Sequence, residues 1–258
     1  MTKNSADERR RTIADHVVRH GTATGADLAR LTGVSLMTVH RDLDDLERRG
    51  VLRRFRGGAS ARPSTVFESN LDYRLGVNTA EKEAVARAAA TLVEPGMSVM
   101  LDDSTTVLAL ARLLAGAAPL TVVTNARRVV DVFAEREDVR LLALGGEYSR
   151  THESFNGLPC VEAVEALSVD LVVVSTSALD ARMAYHQEQD VVLVKRAMLA
   201  SAARKVMLMD HTKLARTALH RVGPVSGLDE LIVDDGVAPE LLAELRERTS
   251  VTVAPVAR

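Results

Sequence analysis

Two groups of residues in this sequence have types and spacings that could do chemistry. The first lies near the start, where Ser35, Met37, Thr38, His40 and Arg41 share one short stretch and Arg53, Arg54 and Arg56 follow within VLRRFRGGAS. Hydroxyl, imidazole and guanidinium groups so arranged suit the base edges and phosphates of double-stranded DNA, where Arg and Lys gain affinity by releasing counterions. The second group sits at the ends of apolar runs. Leu101 leads into Asp102-Asp103-Ser104-Thr105-Thr106, Val123 into Thr124-Asn125, Leu144 into Gly145-Gly146, Val174 into Ser175-Thr176-Ser177, and Met209 into Asp210-His211-Thr212-Lys213. Ser104, Thr105 and Thr106 open a predicted helix, whose free N–H groups and positive end attract an anion. Their hydroxyls suit a phosphate, Lys213 supplies a positive charge, and Asp102 or Asp210 can accept hydrogen bonds from sugar hydroxyls. A small-molecule site is therefore expected from Asp102, Ser104, Thr105, Thr106, Thr124, Asn125, Gly145, Gly146, Asp210 and Lys213.

These groups must be held by elements legible in the hydrophobic pattern. Three helices are predicted in the first sixty residues. Ala6–His20 carries Ile13 and Val17 on one face, Gly25–Thr32 buries Leu28 and Leu31, and a helix capped by Ser35 runs to about Arg49. In the third, Val39, Leu43 and Leu46 recur at i, i+4 and i+7, so Met37, Thr38, His40 and Arg41 face outward. Asp42, Asp44 and Asp45 would repel phosphate, which confines DNA contact to the first turn and a half; Arg41 alternatively pairs with Asp45 at i+4. A short strand, a Gly57-Gly58 turn and a basic wing follow. Residues 60–70 (SARPSTVFESN) lack periodicity and read as a linker on which Phe67 is an apolar tether point.

From residue 71 onward, apolar runs (Ser98–Leu101, Leu120–Thr124, Val139–Leu144, Leu171–Val174, Lys205–Met209, Leu231–Val233, Val251–Ala254) alternate with amphipathic helices near Glu81–Val93, Val107–Leu114, Arg127–Glu135, Val161–Leu167, Val191–Ala203 and Pro239–Arg248. Runs that are continuously apolar imply strands covered on both faces, hence a mostly parallel α/β sheet. Such sheets bind ligands outside the carboxyl ends of their strands. The expected organisation is a DNA-binding domain at 1–59, a linker at 60–70 and an α/β domain at 71–258.

Composition is that of a globular protein, with 47% hydrophobic and 26% charged residues among 258. Charge is unevenly placed: residues 1–62 carry 13 Lys+Arg against 8 Asp+Glu, while the whole chain is at -2. A basic head on an acidic body fits a polyanion-binding module joined to something else. No membrane-length apolar run and no signal-peptide core is present, so a cytoplasmic location is expected. The single Cys160 excludes an internal disulfide and reads as a small buried residue. His152, His186, His211 and His220 lack metal-ligand spacing, so neither a metal nor a cofactor is expected.

The segment DLARLTGVSLMTVHRDLDDLERRGVLRRFRGGAS resembles the N-terminal winged helix of the DeoR family of bacterial regulators, with Val34-Ser35, Thr38-Val39, Arg41-Asp42-Leu43, Leu46-Glu47, Gly50, Leu52, Arg54 and Gly57-Gly58-Ala59 in register. His40 stands where the family usually has Arg, and Arg56 where it usually has His. EKEAVARAAATLVEPG, LDDSTT, VVTNA, ALGGEYS and VKRAMLASAARKVMLMDHTK resemble the effector domain of the same family, whose fold is similar to ribose-5-phosphate isomerase and CoA-transferase subunits. The family's D-x-G-(T/S)-T phosphate loop reads here as Asp102-Asp103-Ser104-Thr105-Thr106, with no glycine and one additional carboxylate. STSALDARMAYHQEQD lacks the glycines that the family often shows. The resemblance implies a repressor of carbohydrate-use genes that binds operator DNA as a homodimer or homotetramer and senses a small effector, expected to be a phosphorylated sugar. Two other readings stay open: a body that only oligomerises, and a sugar-phosphate isomerase or transferase fused to a DNA reader.

Overall fold

The computed structural model describes residues 3–48, 51–61, 71–117 and 119–257. It contains two compact units, Met1–Val77 and Asn78–Arg258.

In the first unit, helix α1 (Lys3–His20) is followed by β1 (Thr22–Thr24), α2 (Gly25–Thr32), α3 (Leu36–Arg48), and the strands β2 (Leu52–Phe55) and β3 (Gly58–Ala61). The strands form an antiparallel sheet in the order β1-β3-β2, so the wing is a true hairpin packed on a third strand that sequence patterning missed. Thr24 caps α2 by accepting from Asp27 N–H, and Gly33 ends it in the left-handed region. Ile13, Val17, Leu28, Val39, Leu43, Leu46, Leu52 and Ala59 make the core. Leu31, expected inside, is 46% exposed: the eight-residue α2 turns only Gly25 and Leu28 fully inward. Gly58 is dictated by packing, because a Cβ there would overlap the Ala23 carbonyl oxygen. Helix α4 (Leu71–Gly76) belongs to this unit, so the division falls at Val77/Asn78, later than the boundary expected at 71. The expected linker lies almost wholly outside the described residues, as does Phe67.

The second unit carries α5 (Thr79–Ala90), β4 (Ser98–Leu101), α6 (Thr105–Leu114), β5 (Leu120–Thr124), α7 (Arg127–Phe133) and β6 (Val139–Ala143). A hairpin, β7 (Glu147–Ser149) and β8 (Ser154–Asn156), then leads into α8 (Leu158–Glu165), β9 (Val169–Val174), β10 (Ala178–Leu179), β11 (Met183–His186) and α9 (Gln189–Ala200). The chain closes through β12 (Ala202–Met209), β13 (His220–Pro224), β14 (Glu230–Asp234), α10 (Pro239–Arg246) and β15 (Ser250–Ala254). Helix α9 stops at Ala200, short of the expected Ala203, because the strand begins at Ala202. Seven strands form one parallel sheet in the order β15-β14-β12-β9-β4-β5-β6. Alternate residues bury on opposite faces, as in β4, where Met100 joins the cluster under α8 and α9 while Val99 and Leu101 are equally buried. Burial of both faces in the inner strands explains why they read as unbroken apolar runs, while the edge strands β6 and β15 are only partly buried. The strand order reverses between β4 and β9, the kind of point at which open α/β sheets take ligands, in the crevice beyond the strand ends. The short sheet β10-β11-β13 and the β7–β8 hairpin are additions to this plan.

Candidate functional site

The DNA-reading candidates sort by what each side chain touches. Ser35 Oγ accepts from Thr38 N–H at 3.2 Å and lies 2.9 Å from Thr38 Oγ1, so both hydroxyls help start α3. Met37 is 67% exposed, and Arg41 is exposed with no ion pair among the described residues; Asp45 pairs with Arg10 and Arg48 instead. His40 and Arg54 are drawn together: Arg54 Nη2 lies 3.3 Å from His40 Nδ1, and Arg54 Nη1 pairs with Asp44. The wing arginine is thus tied to the recognition helix, while Arg53 and Arg56 remain exposed. Sequence reasoning missed what holds α3 in place. Asp42, 3% exposed, accepts from Arg9 Nε at 2.6 Å and faces Arg10 Nη1 at 3.5 Å, which pins α3 to α1. A carboxylate next to Leu43 in the apolar stripe was the available signal.

At the β4/β9 crevice, buried charges converge. Lys195, on α9 and 2% exposed, donates to Asp102 Oδ2 and, at 3.0 Å, to Asp103 Oδ1. Asp102 also accepts from Ser104 N–H at 3.0 Å and Ser175 N–H at 2.8 Å, joining the exits of β4 and β9. Asp103 Oδ2 accepts from Ser154 Oγ at 2.9 Å, and Ser154 Oγ accepts from Asn156 Nδ2 at 3.1 Å. Burial alone would depress the Lys195 ammonium; the two facing carboxylates override it and hold its pKa above the ordinary lysine value. Burial, with Asp103 nearby, pushes the Cys160 thiol up to about 11, which leaves it inert.

Ser104 caps α6 by accepting from Val107 N–H at 3.1 Å. Thr124 is a brace, donating to Leu101 O at 2.7 Å and accepting from Ala126 N–H at 3.1 Å. Asn125 Nδ2 donates to Phe155 O at 2.8 Å. Three buried polar atoms beside this cluster, Thr106 Oγ1, Asn125 Oδ1 and Asn156 Oδ1, have no hydrogen-bond partner among the described residues. Gly146 is structural: at φ 144° a Cβ would strike the Asn156 carbonyl oxygen, while Gly145 stands in open space.

Asp210 and Lys213, expected in the same site, form a separate cluster. Asp210 is fully buried and accepts from Asn78 Nδ2 at 3.0 Å and from Thr212 Oγ1, with Lys213 Nζ 3.5 Å away. Its carboxyl sits below the usual range: burial would raise it, but Lys213, Thr212, Lys82 and Asn78 outweigh that. The exit of β12 is two strands from that of β4, roughly 10 Å at the ordinary strand spacing. Lys195, not singled out from the sequence, is the cation at the β4 exit, while Lys213 stands at the β12 exit. The signal for Lys195 was a lysine four residues after Val191 and three before Met198, on the apolar face of its own helix.

Among the described residues no group of His, Cys, Asp and Glu could hold a metal ion, and no helix is long and apolar enough to cross a membrane. A DNA-reading winged helix followed by a ligand-binding α/β unit defines a ligand-responsive transcription regulator. The chain belongs to the DeoR family: residues 9–65 match the DeoR-like helix-turn-helix domain and residues 77–235 the DeoR C terminal sensor domain. It is 33% identical over 244 residues to the putative aga operon transcriptional repressor of Escherichia coli O157:H7, covering 93% of this chain and 90% of that one. It is 28% identical over 232 residues to the glycerol-3-phosphate regulon repressor of Escherichia coli strain K12, covering 88% and 90%. Ribose 5-phosphate isomerase A from Neisseria gonorrhoeae aligns over 52% of each chain at 12% identity and a TM-score of 0.39. The protein is a DNA-binding transcription regulator with a sensor domain for a small-molecule effector.

Proposed function

We propose that this chain represses a carbohydrate-use operon and that a phosphorylated sugar, bound in the β4/β9 crevice, changes its operator affinity. The observation that carries this reading is the buried Asp102–Lys195–Asp103 cluster at the reversal point of the sheet, beside the start of α6. The α6 amides with Ser104, Thr105 and Thr106 receive the phosphoryl group. Carboxylate oxygens each offer two acceptor sites, so Asp102 can still take a sugar hydroxyl. Names of relatives point the same way, one an aga operon repressor and one a glycerol-3-phosphate regulon repressor. On the DNA side, Met37 and Arg41 read the groove, with Arg53 and Arg56 on the flanking backbone. A single winged helix covers few base pairs, so the working form is a homodimer or homotetramer, and effector binding acts on the spacing of its heads. The expected coupling is roughly 1–3 kcal/mol, or about 5- to 150-fold in operator affinity. The test selects an operator from a random duplex library with purified protein, then titrates it by anisotropy with and without a panel of sugar phosphates. Unchanged operator affinity across the saturating panel would refute the reading.

A further inference from the structure

The loop between β4 and α6 carries a carboxylate, Asp103, directly on the cation of the crevice. We infer that Asp103 is a discriminating residue: it denies the site to a bare phosphate ion, so that binding depends on the hydroxyls of a larger ligand. This deepens the effector reading above and rests on it.

The argument begins with charge. Asp102, Asp103 and Lys195 together bring two negative charges and one positive into a space from which water is largely excluded. A phosphate arriving at the start of α6 meets Lys195 with its attraction already satisfied twice. Asp102 fixes this closeness, because Oδ1 accepts from Ser104 N–H and Oδ2 from Lys195. Asp103 cannot simply swing aside. Ser154 Oγ holds its other oxygen, and Ser154 belongs to a hairpin anchored on the far side: Phe155 N–H donates to Asn125 O at 2.9 Å, Arg127 N–H to Glu153 O at 2.9 Å, and the Glu153 carboxylate pairs with Arg127 and Arg128. The repulsion is built into the fold.

Affinity must then come from elsewhere in the crevice. Asn125 Oδ1 and Asn156 Oδ1 are buried acceptors without a donor among the described residues, and Asn156 bonds to Ser154 in the Asp103 chain. A buried acceptor left unsatisfied is costly, so a ligand that brings hydroxyl donors to both gains what a phosphate ion cannot. The ligand class is a polyhydroxylated monophosphate, with the polyol part as the portion recognised.

The experiment uses the full chain and inorganic phosphate, followed by titration calorimetry and thermal shift. Asp103→Asn should bind phosphate about tenfold or more tightly than the wild type, as expected from removing a like charge a few ångström from the anion. The gain should vanish in Asp103→Asn combined with Lys195→Met. Asp103→Gly removes the same charge and is read instead if the asparagine variant lacks a cooperative melt. Equal phosphate affinity in wild type and variant, or a gain that survives loss of Lys195, would overturn the inference. Failure of the effector reading looks different: sugar phosphates would leave operator binding unchanged while the phosphate titrations still separated the variants.

Discussion

Replacing Lys195 with Met tests the centre of the sensor unit most directly. The side chain is 2% exposed and faces Asp102 and Asp103, themselves 1% and 7% exposed. Methionine matches the length of the stem but leaves two buried carboxylates without their cation. Breaking a buried ion pair in this way costs about 3–5 kcal/mol, which for a unit of this size lowers the melting temperature by roughly 6–20 °C. In the wild type the folded pKa of Lys195 is raised, so its stabilisation is fully present below the unfolded lysine value and is lost only as pH rises through the folded one. At pH 5 and pH 8 the wild type therefore keeps it alike. Urea unfolding of wild type and variant at pH 8 measures the loss, and the wild type repeated at pH 5 checks that the contribution of Lys195 does not change between the two values. A loss below about 1 kcal/mol would show that Lys195 does not neutralise this cluster.

Other outcomes follow from the same geometry. Arg56→Ala should weaken binding to all DNA sequences and reduce the slope of log K against log salt by about one, since a single phosphate contact is lost; an unchanged slope would remove Arg56 from the backbone contacts. Gly58→Ala forces the wing away from Ala23 and should lower DNA affinity severalfold while leaving ligand-induced stabilisation of the sensor unit intact; parallel anisotropy and thermal-shift titrations check both halves. Asp42→Ala frees α3 from Arg9 and Arg10 and should destabilise the head by roughly 1–3 kcal/mol, read by urea melting. With its pKa near 11, the Cys160 thiol should resist alkylation at pH 8 in the native protein and react at an ordinary thiol rate in urea; rapid native labelling would contradict its burial.

Much of the head was legible because it is local. The stripe Val39–Leu43–Leu46 needs only a helical period to place Met37 and Arg41 outward, and Gly57-Gly58 needs only turn chemistry to announce the wing. What that reading could not see is the engagement of Arg54 with His40 and Asp44, because a side chain's partner across two elements is set by how they pack. In the sensor unit, apolar runs and their polar exits identified the parallel sheet and the residues at the carboxyl ends of its strands without help. They could not say which exits are neighbours. Asp102 and Asp210 look equivalent along the chain, yet β4 lies beside β9 while β12 lies one strand further out, so the two aspartates serve different clusters. Lys195 meets Asp102 and Asp103 only because α9 packs over the reversal point, across more than ninety residues of chain. Periodicity records which face of an element is buried; strand order and helix packing alone decided which buried charges meet.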